Sequence, residues 1–146
     1  MTHEDAGHYS AKHPPGSDYH PEIAAAIKEK ADGDKISCAK AHQIAGDKGI
    51  SPAEIGKTID LLEYRLIKCQ LGLFGYEPEK KIVAPMPPEE LTATLKEALI
   101  LATRDDKIAC RDSWQIAARL SLPRMTVAAA CETLGIKVSP CQLGAF

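Results

Sequence analysis

Apolar residues in the first half of the chain recur at the spacing of helical faces and predict three helices. Ile23 and Ile27 lie on one such face, which ends near Gly33. A second apolar face, over residues 39–48, ends at Gly49. The third is a stripe at spacings of four, three and four, made of Ile55, Ile59, Leu62 and Leu66.

The residues around the third stripe predict where its helix begins and where short strands lie. Ser51 can cap the helix, and Pro52 suits the first helical position because its missing N–H is not needed there. Glu54 completes a capping-box pattern. Alternating residues predict a short strand in KISC, from Lys35, and a longer one in IKCQLGLF, from Ile67. The pattern is typical of a mainly α fold with short β strands, an α+β unit.

The same pattern recurs 72 residues later. When residues 34–74 are compared with residues 106–146 without a gap, 13 of the 41 positions are identical. Unrelated sequences would match at roughly one position in fifteen. The identical positions include CQLG, which begins at Cys69 and again at Cys141. We interpret this as a tandem duplication, in which each copy closes around its own apolar core.

The repeat divides the chain into a tail and two units. We expect a polar, disordered tail over residues 1–20, a first unit over 21–84 and a second over 87–146. The join between the units is rich in proline, which lacks the N–H that helices and central strands need. The segment KKIV, at residues 80–83, could complete the wing of the first unit or pair with the final strand of the second, and the exposed edge left behind would be a place for self-association. A homo-oligomer is therefore one expectation.

The order of helix, strand, helix, tight turn, helix and strand resembles the winged-helix superfamily. The helix-turn-helix residues match, with small Ala45 where two helices cross and Gly49 and Ile50 in the turn. The unit is similar to the DNA-binding domain of ModE-type regulators. The second unit departs from that pattern because Ser121 stands where a turn glycine is expected. The resemblance implies two tandem winged-helix-like domains.

The resemblance also implies a small transcriptional regulator that binds double-stranded DNA. In this superfamily the third helix enters the major groove. The candidate DNA contacts on the third helices, the wing and the second unit are Ser51, Lys57, Lys80, Lys81, Arg111, Arg119 and Arg124.

The nearly balanced charge of the chain favours an alternative function in which the same fold does not bind DNA. The chain has 18 Lys and Arg against 20 Asp and Glu, a net charge of -2, and both units are neutral. Such a balance does not draw a protein onto a polyanion. A low aromatic content, 5%, also argues against a surface that stacks single-stranded bases. The alternative is a protein-interaction or metal- or thiol-responsive module that keeps the fold without binding DNA.

Four of the five cysteines pair through the repeat, and their role stays open. Cys38 corresponds to Cys110, and Cys69 to Cys141, whereas Cys131 takes the place of an apolar core residue. The paired cysteines are either small buried apolar residues or a thiol pair in each unit that binds a metal or senses redox state. No CxxC motif is present.

The remaining features narrow the function class. The tail histidines are His3, His8, His13 and His20. They could chelate a metal loosely, although a solvated tail is the simpler interpretation.

No motif of nucleotide binding, metalloprotease chemistry or a nucleophile elbow is present, so we expect neither an enzyme nor a cofactor. No apolar run is long enough for a membrane span or a signal peptide, and a cytoplasmic protein is expected.

Overall fold

A computed structural model describes residues 8–146 of the protein. Within this range the chain forms six α-helices, four short strands and two single-turn 3-10 helices, which confirms the prediction of a mainly α fold with short strands. In chain order the elements are a 3-10 helix at Tyr9–Lys12, α1 Pro21–Lys30, β1 Lys35–Ser37, α2 Cys38–Lys48, α3 Pro52–Leu61, β2 Arg65–Ile67, a 3-10 helix at Pro88–Glu90, α4 Ala93–Ala102, β3 Lys107–Ile108, α5 Cys110–Arg119, α6 Arg124–Leu134 and β4 Lys137–Val138.

The second half of the chain repeats the element order of the first. Here the first half means α1 to β2, and the second half means α4 to β4. Strands β1 and β2 pair in parallel, with Ile36 opposite Leu66. Strands β3 and β4 also pair in parallel, with Ile108 opposite Val138. These pairings fall at positions 72 residues apart, so the strand register recurs with the same offset as the sequence repeat.

The helix boundaries follow from the local signals in the sequence. The Ser51 side chain accepts a hydrogen bond from the backbone N–H of Glu54 at 3.2 Å, which caps α3 as predicted. Gly49 ends α2 in the left-handed region at φ 63°. Ser121 holds the equivalent place after α5 at φ 56°, a conformation that costs a residue with a Cβ more than it costs glycine.

The prediction of a long strand over IKCQLGLF is wrong. Strand β2 ends at Ile67, and the chain then folds into a compact loop in which the N–H of Cys69 donates to the carbonyl of Phe74 at 3.1 Å. The wing expected around Lys80 and Lys81 would add a strand to the first sheet. Within the described residues each sheet has only two strands, so this added strand is absent. Residues 80–83 form no strand; the N–H of Ile82 donates to the carbonyl of Gly72 at 2.9 Å instead.

The two halves exchange the loops that close their cores. We call residues 69–74 the first CQLG loop and residues 141–146 the second CQLG loop. Leu71 of the first loop is buried in the core of the second half, beside Val127. Leu143 of the second loop is buried in the core of the first half, beside Ile55. The expectation that each unit closes around its own core is therefore wrong, and the boundaries at 84 and 87 separate no independently packed units.

The exchange of loops depends on the close approach of the second CQLG loop to α3. A Cβ placed on Gly56 of α3 would collide with the backbone carbonyl of Leu143. Glycine therefore lets the second CQLG loop lie directly on α3, where both residues are buried. The ends of the two loops also meet, since the rings of Phe74 and Phe146 pack edge to face with centroids 5.8 Å apart.

The N-terminal segment is ordered where the structure describes it, so the expected disorder over residues 1–20 is wrong for residues 8–20. Tyr9 is buried, and the segment packs against α3. Glu63 accepts hydrogen bonds from the backbone N–H groups of Tyr9 at 3.0 Å and Ser10 at 2.7 Å, which ties the 3-10 helix to the end of α3. His3 lies outside the described residues.

No helix within residues 8–146 has both the length and the apolar character needed to cross a membrane.

Candidate functional site

Part of the outward face of α3, predicted to read DNA, is covered by other parts of the chain, whereas Ser51 and Ala53 are exposed. Gly56 lies under the second CQLG loop, and Asp60 is 1% exposed. The Asp60 carboxylate forms an ion pair with the Lys12 ammonium at 3.2 Å and contacts His13 Nε2 at 2.7 Å. Burial raises the pKa of Asp60, while these two neighbours oppose the shift. The N-terminal segment and the loop together take the place that a DNA groove would need.

The outward face of α6 is covered in the same way, by the segment that joins the halves. Glu132, the counterpart of Asp60, pairs with Lys81 at 2.6 Å. The Thr133 hydroxyl donates to the carbonyl of Met86 at 2.7 Å, which fixes the joining segment along the helix. Ala128 is buried against the core that holds the first CQLG loop. On each third helix an outward acid thus pairs with a lysine from the covering segment, while Pro123 and Met125 at the start of α6 are exposed.

The predicted DNA contacts are not brought together as one free basic set. Arg124 lies 3.5 Å above the Trp114 ring and donates to Gln70 at 2.5 Å. Lys81 is held by its acid partner, and Ser51 is used as a helix cap. Arg124, predicted on the third helix, and Lys81, predicted at the wing tip, are therefore each engaged with other side chains of the chain. The others show partial or full exposure: Lys57 is half-buried, and the exposed ones are Lys80, Arg111 and Arg119.

The paired cysteines lie at the point where the exchanged loops cross between the halves. Cys38 and Cys110 are the first residues of α2 and α5, and Cys69 and Cys141 begin the two CQLG loops. Cys38 is in the first core and Cys69 is in the second. The four thiols are near enough to act on one another electrostatically, since charge on any of the other three raises the pKa of Cys38.

Hydrogen bonds hold each helical cysteine beside the loop of its own half. The N–H of Gln70 donates to the Cys38 sulfur. In the second half the Cys110 N–H donates to the carbonyl of Pro140 at 3.0 Å, and Gln142 Nε2 donates to the Cys110 sulfur at 3.4 Å. Cys110 therefore contacts both neighbours of Cys141 in the chain. These bonds place Cys110 beside the two residues that flank Cys141, and Cys38 beside the residue that follows Cys69.

Burial dominates the chemistry of most of these thiols. It raises the pKa of Cys38 to about 12 and the pKa of Cys110 to about 11, because a thiolate is poorly solvated there. Burial also raises the pKa of Cys69. Cys131 is fully enclosed in the second core, as the sequence predicts, and burial raises its pKa to about 11. These four are neutral thiols near pH 7.

Cys141 differs from its three neighbours because it is only half-buried. It lines a groove of about 290 Å³ between the start of α3 and the start of α5. The walls are almost entirely apolar, and Arg111 contributes the one charged side chain among the described lining residues. The groove gives a small molecule a path from solvent to this thiol.

No preformed metal site accompanies these thiols. Within residues 8–146, no three His, Cys, Asp or Glu side chains are arranged to hold a metal ion. The metal hypothesis for Cys38, Cys69, Cys110 and Cys141 therefore has no geometric support. Loose chelation by the tail has none either, since His13 is engaged with Asp60.

Comparisons of the chain with protein families, with curated proteins and with solved structures return no match. The inference of function therefore comes from the geometry of the site alone.

Sequence reasoning identified the four paired cysteines but missed what sets Cys141 apart. Cys69 and Cys141 begin the same tetrapeptide, CQLG, and their local patterns are alike. The difference lies in the surroundings: Cys69 is buried in the second core, whereas Cys141 faces the groove beside Pro52 and Pro140. Pro140 precedes Cys141 where Lys68 precedes Cys69, which is a local difference, whereas Pro52 comes from a distant helix that no local pattern reveals.

Proposed function

We propose that the protein is a thiol-responsive module, in which the chemical state of the paired cysteines controls how the two halves are held together. The observation that carries this proposal is the position of Cys69 and Cys141 at the start of the exchanged loops. Each loop passes from its cysteine into the opposite core. A bond or adduct formed at these sulfurs changes where the loops can lie, and so couples thiol chemistry to the packing of both cores.

The two halves of the fold have a common evolutionary origin under this proposed function. We infer that the two halves descend from one duplicated module, because the strand register and the order of the helices recur with the offset of the sequence repeat. A single module with this loop would have paired with a second copy by reciprocal exchange. Fusion of two copies then places all four thiols in one chain.

The covered third helices favour this function over DNA recognition. Some of the positions that would face a groove are covered, by the N-terminal segment and the second CQLG loop on α3 and by the joining segment on α6. Base readout needs free Arg, Lys, Asn or Gln side chains on that face. An electrophoretic shift assay with genomic fragments at low salt separates the two functions. We expect no retardation at tens of micromolar protein, and clear retardation would favour a regulator that binds DNA.

Amide hydrogen exchange tests the proposal directly. The reduced protein is compared with protein oxidised by diamide, which accepts two electrons from a thiol pair, and with oxidised protein returned to reductant. We expect oxidation to change amide protection in α3 and α6 by about tenfold, reversibly, because the loops pack on these helices. A variant with all four paired cysteines replaced by serine should not respond, whereas Cys131→Ala should respond as the wild type does. An unchanged exchange pattern after complete oxidation would refute the proposal.

A further inference from the structure

Resting on that proposed function, we infer that Cys141 and Cys110 form an oxidisable pair in which Cys141 reacts first with a hydroperoxide and Cys110 then closes a disulfide. The groove that reaches Cys141 and the hydrogen bonds that seat Cys110 against Pro140 and Gln142 carry this assignment. The equivalent pair of the first half, Cys38 and Cys69, is fully buried and is shielded from the same reaction.

The groove suits a small, weakly polar oxidant. Its walls are mainly Pro52, Ala53, Ala109 and Pro140, which favour the organic part of an alkyl hydroperoxide. Arg111 on the rim supplies positive charge, which stabilises the negative charge on the oxygen that leaves. None of these groups has a counterpart facing Cys69, which lies inside the second core.

The reaction balances with the hydroperoxide as the only oxidant. The Cys141 thiolate attacks one peroxide oxygen; an S–O bond forms, the O–O bond breaks, and the alkoxide takes up the proton lost by the thiol to leave as an alcohol. Cys141 is then a sulfenic acid. The Cys110 sulfur attacks the Cys141 sulfur; an S–S bond forms, the S–O bond breaks, and water leaves with the Cys110 proton. The two sulfurs together give two electrons to the peroxide.

The order of the two reactions follows from how accessible each cysteine is to the oxidant. Cys110 is buried and its thiol is neutral near pH 7, so it reacts slowly with an oxidant in solution. It lies beside a neighbour that reacts faster, which is the arrangement of a resolving thiol. A bond between these cysteines ties the start of α5 to the second CQLG loop, whose far end lies in the first core.

Mass spectrometry of the full chain after treatment with equimolar cumene hydroperoxide or hydrogen peroxide tests this assignment. Trypsin places the five cysteines on five separate peptides, so each disulfide has a distinct mass. We expect residues 108–111 linked to residues 138–146 as the main product. In Cys110→Ser, dimedone should trap a sulfenic acid on Cys141. In Cys141→Ser, peroxide consumption should fall by about tenfold, with Cys131→Ala as the control that reacts like the wild type.

Two outcomes would overturn the assignment. One is a first reaction at Cys38, Cys69 or Cys131; the other is an unchanged rate in Cys141→Ser, with circular dichroism and a second variant, Cys141→Ala, confirming that the fold is intact. If diamide still changes amide protection in α3 and α6 while peroxide does not oxidise Cys141, the inference fails and the proposed function stands. If neither oxidant changes the packing, the proposed function fails as well.

Discussion

His42 and Trp114 stand at equivalent positions of the two halves, and their rings meet with centroids 4.4 Å apart and planes inclined by 47°. The Arg124 guanidinium lies 3.5 Å from the centroid of the same indole ring. His42 lies in α2 and Trp114 lies in α5. The contact therefore marks the boundary at which the halves pack.

The buried position of His42 makes the free energy of unfolding depend on pH. Burial, with the nearby Arg124 charge, lowers the pKa of His42 from 6.5 to about 4. Because the folded pKa is the lower one, the unfolded chain binds the proton more tightly, and stability present above pH 6.5 is lost as the pH falls towards 4. After allowance for partial exposure we expect a loss of about 1–2 kcal/mol. Urea unfolding at pH 7 and pH 4.5 measures it, and His42→Gln should lose less over the same interval.

The exchanged leucines should be as important as any residue of the cores that they enter. Leu143→Ala and Leu71→Ala should each lower the free energy of unfolding by about 2–5 kcal/mol, because each leaves a cavity in a packed core. Urea unfolding measures the loss. Leu101→Ala, at a side chain that is 68% exposed, is the control and should change stability by less than about 0.5 kcal/mol. A similarly small effect of Leu143→Ala would argue that the second CQLG loop is not part of the first core.

Gly56 should tolerate no larger side chain. Gly56→Ala places a methyl group against the Leu143 carbonyl, and we expect a destabilisation of about 1–3 kcal/mol by thermal or urea unfolding. Gly46→Ala is the matched control in α2, since nothing lies within 4 Å of a Cβ there. That variant should gain about 0.5–1 kcal/mol from helix propensity. Equal effects of both substitutions would contradict the close approach.

The two helix-ending residues offer a reciprocal test of the repeat. Ser121→Gly should stabilise the protein by about 0.5 kcal/mol, because glycine adopts the left-handed conformation at φ 56° without the Cβ penalty. Gly49→Ser should destabilise it by about 1 kcal/mol for the converse reason. Denaturant midpoints of the two variants measure both effects. Changes of the same sign would show that these positions are not equivalent.

The sequence predicted where most helices begin and end, because those ends depend on neighbours in the chain, but it placed Leu66 on the stripe of α3, whereas Leu66 lies in β2. Ser51 caps α3 and Gly49 ends α2, as local chemistry requires. The destination of the CQLG loops could not be predicted. Periodicity tells which residues are apolar but not which core covers them, and CQLGLF and CQLGAF are nearly identical segments that fit either half. The accessible Cys141 thiol depends on the same long-range packing.

The most direct test of the exchange is a set of methyl nuclear Overhauser effects in the reduced protein. We predict contacts from the Leu143 methyl groups to Ile55 and Ile59 in the first core, and from the Leu71 methyl groups to Val127 in the second. Contacts from Leu143 to Val127 and from Leu71 to Ile55 would show that each half closes on its own loop, and would contradict the account.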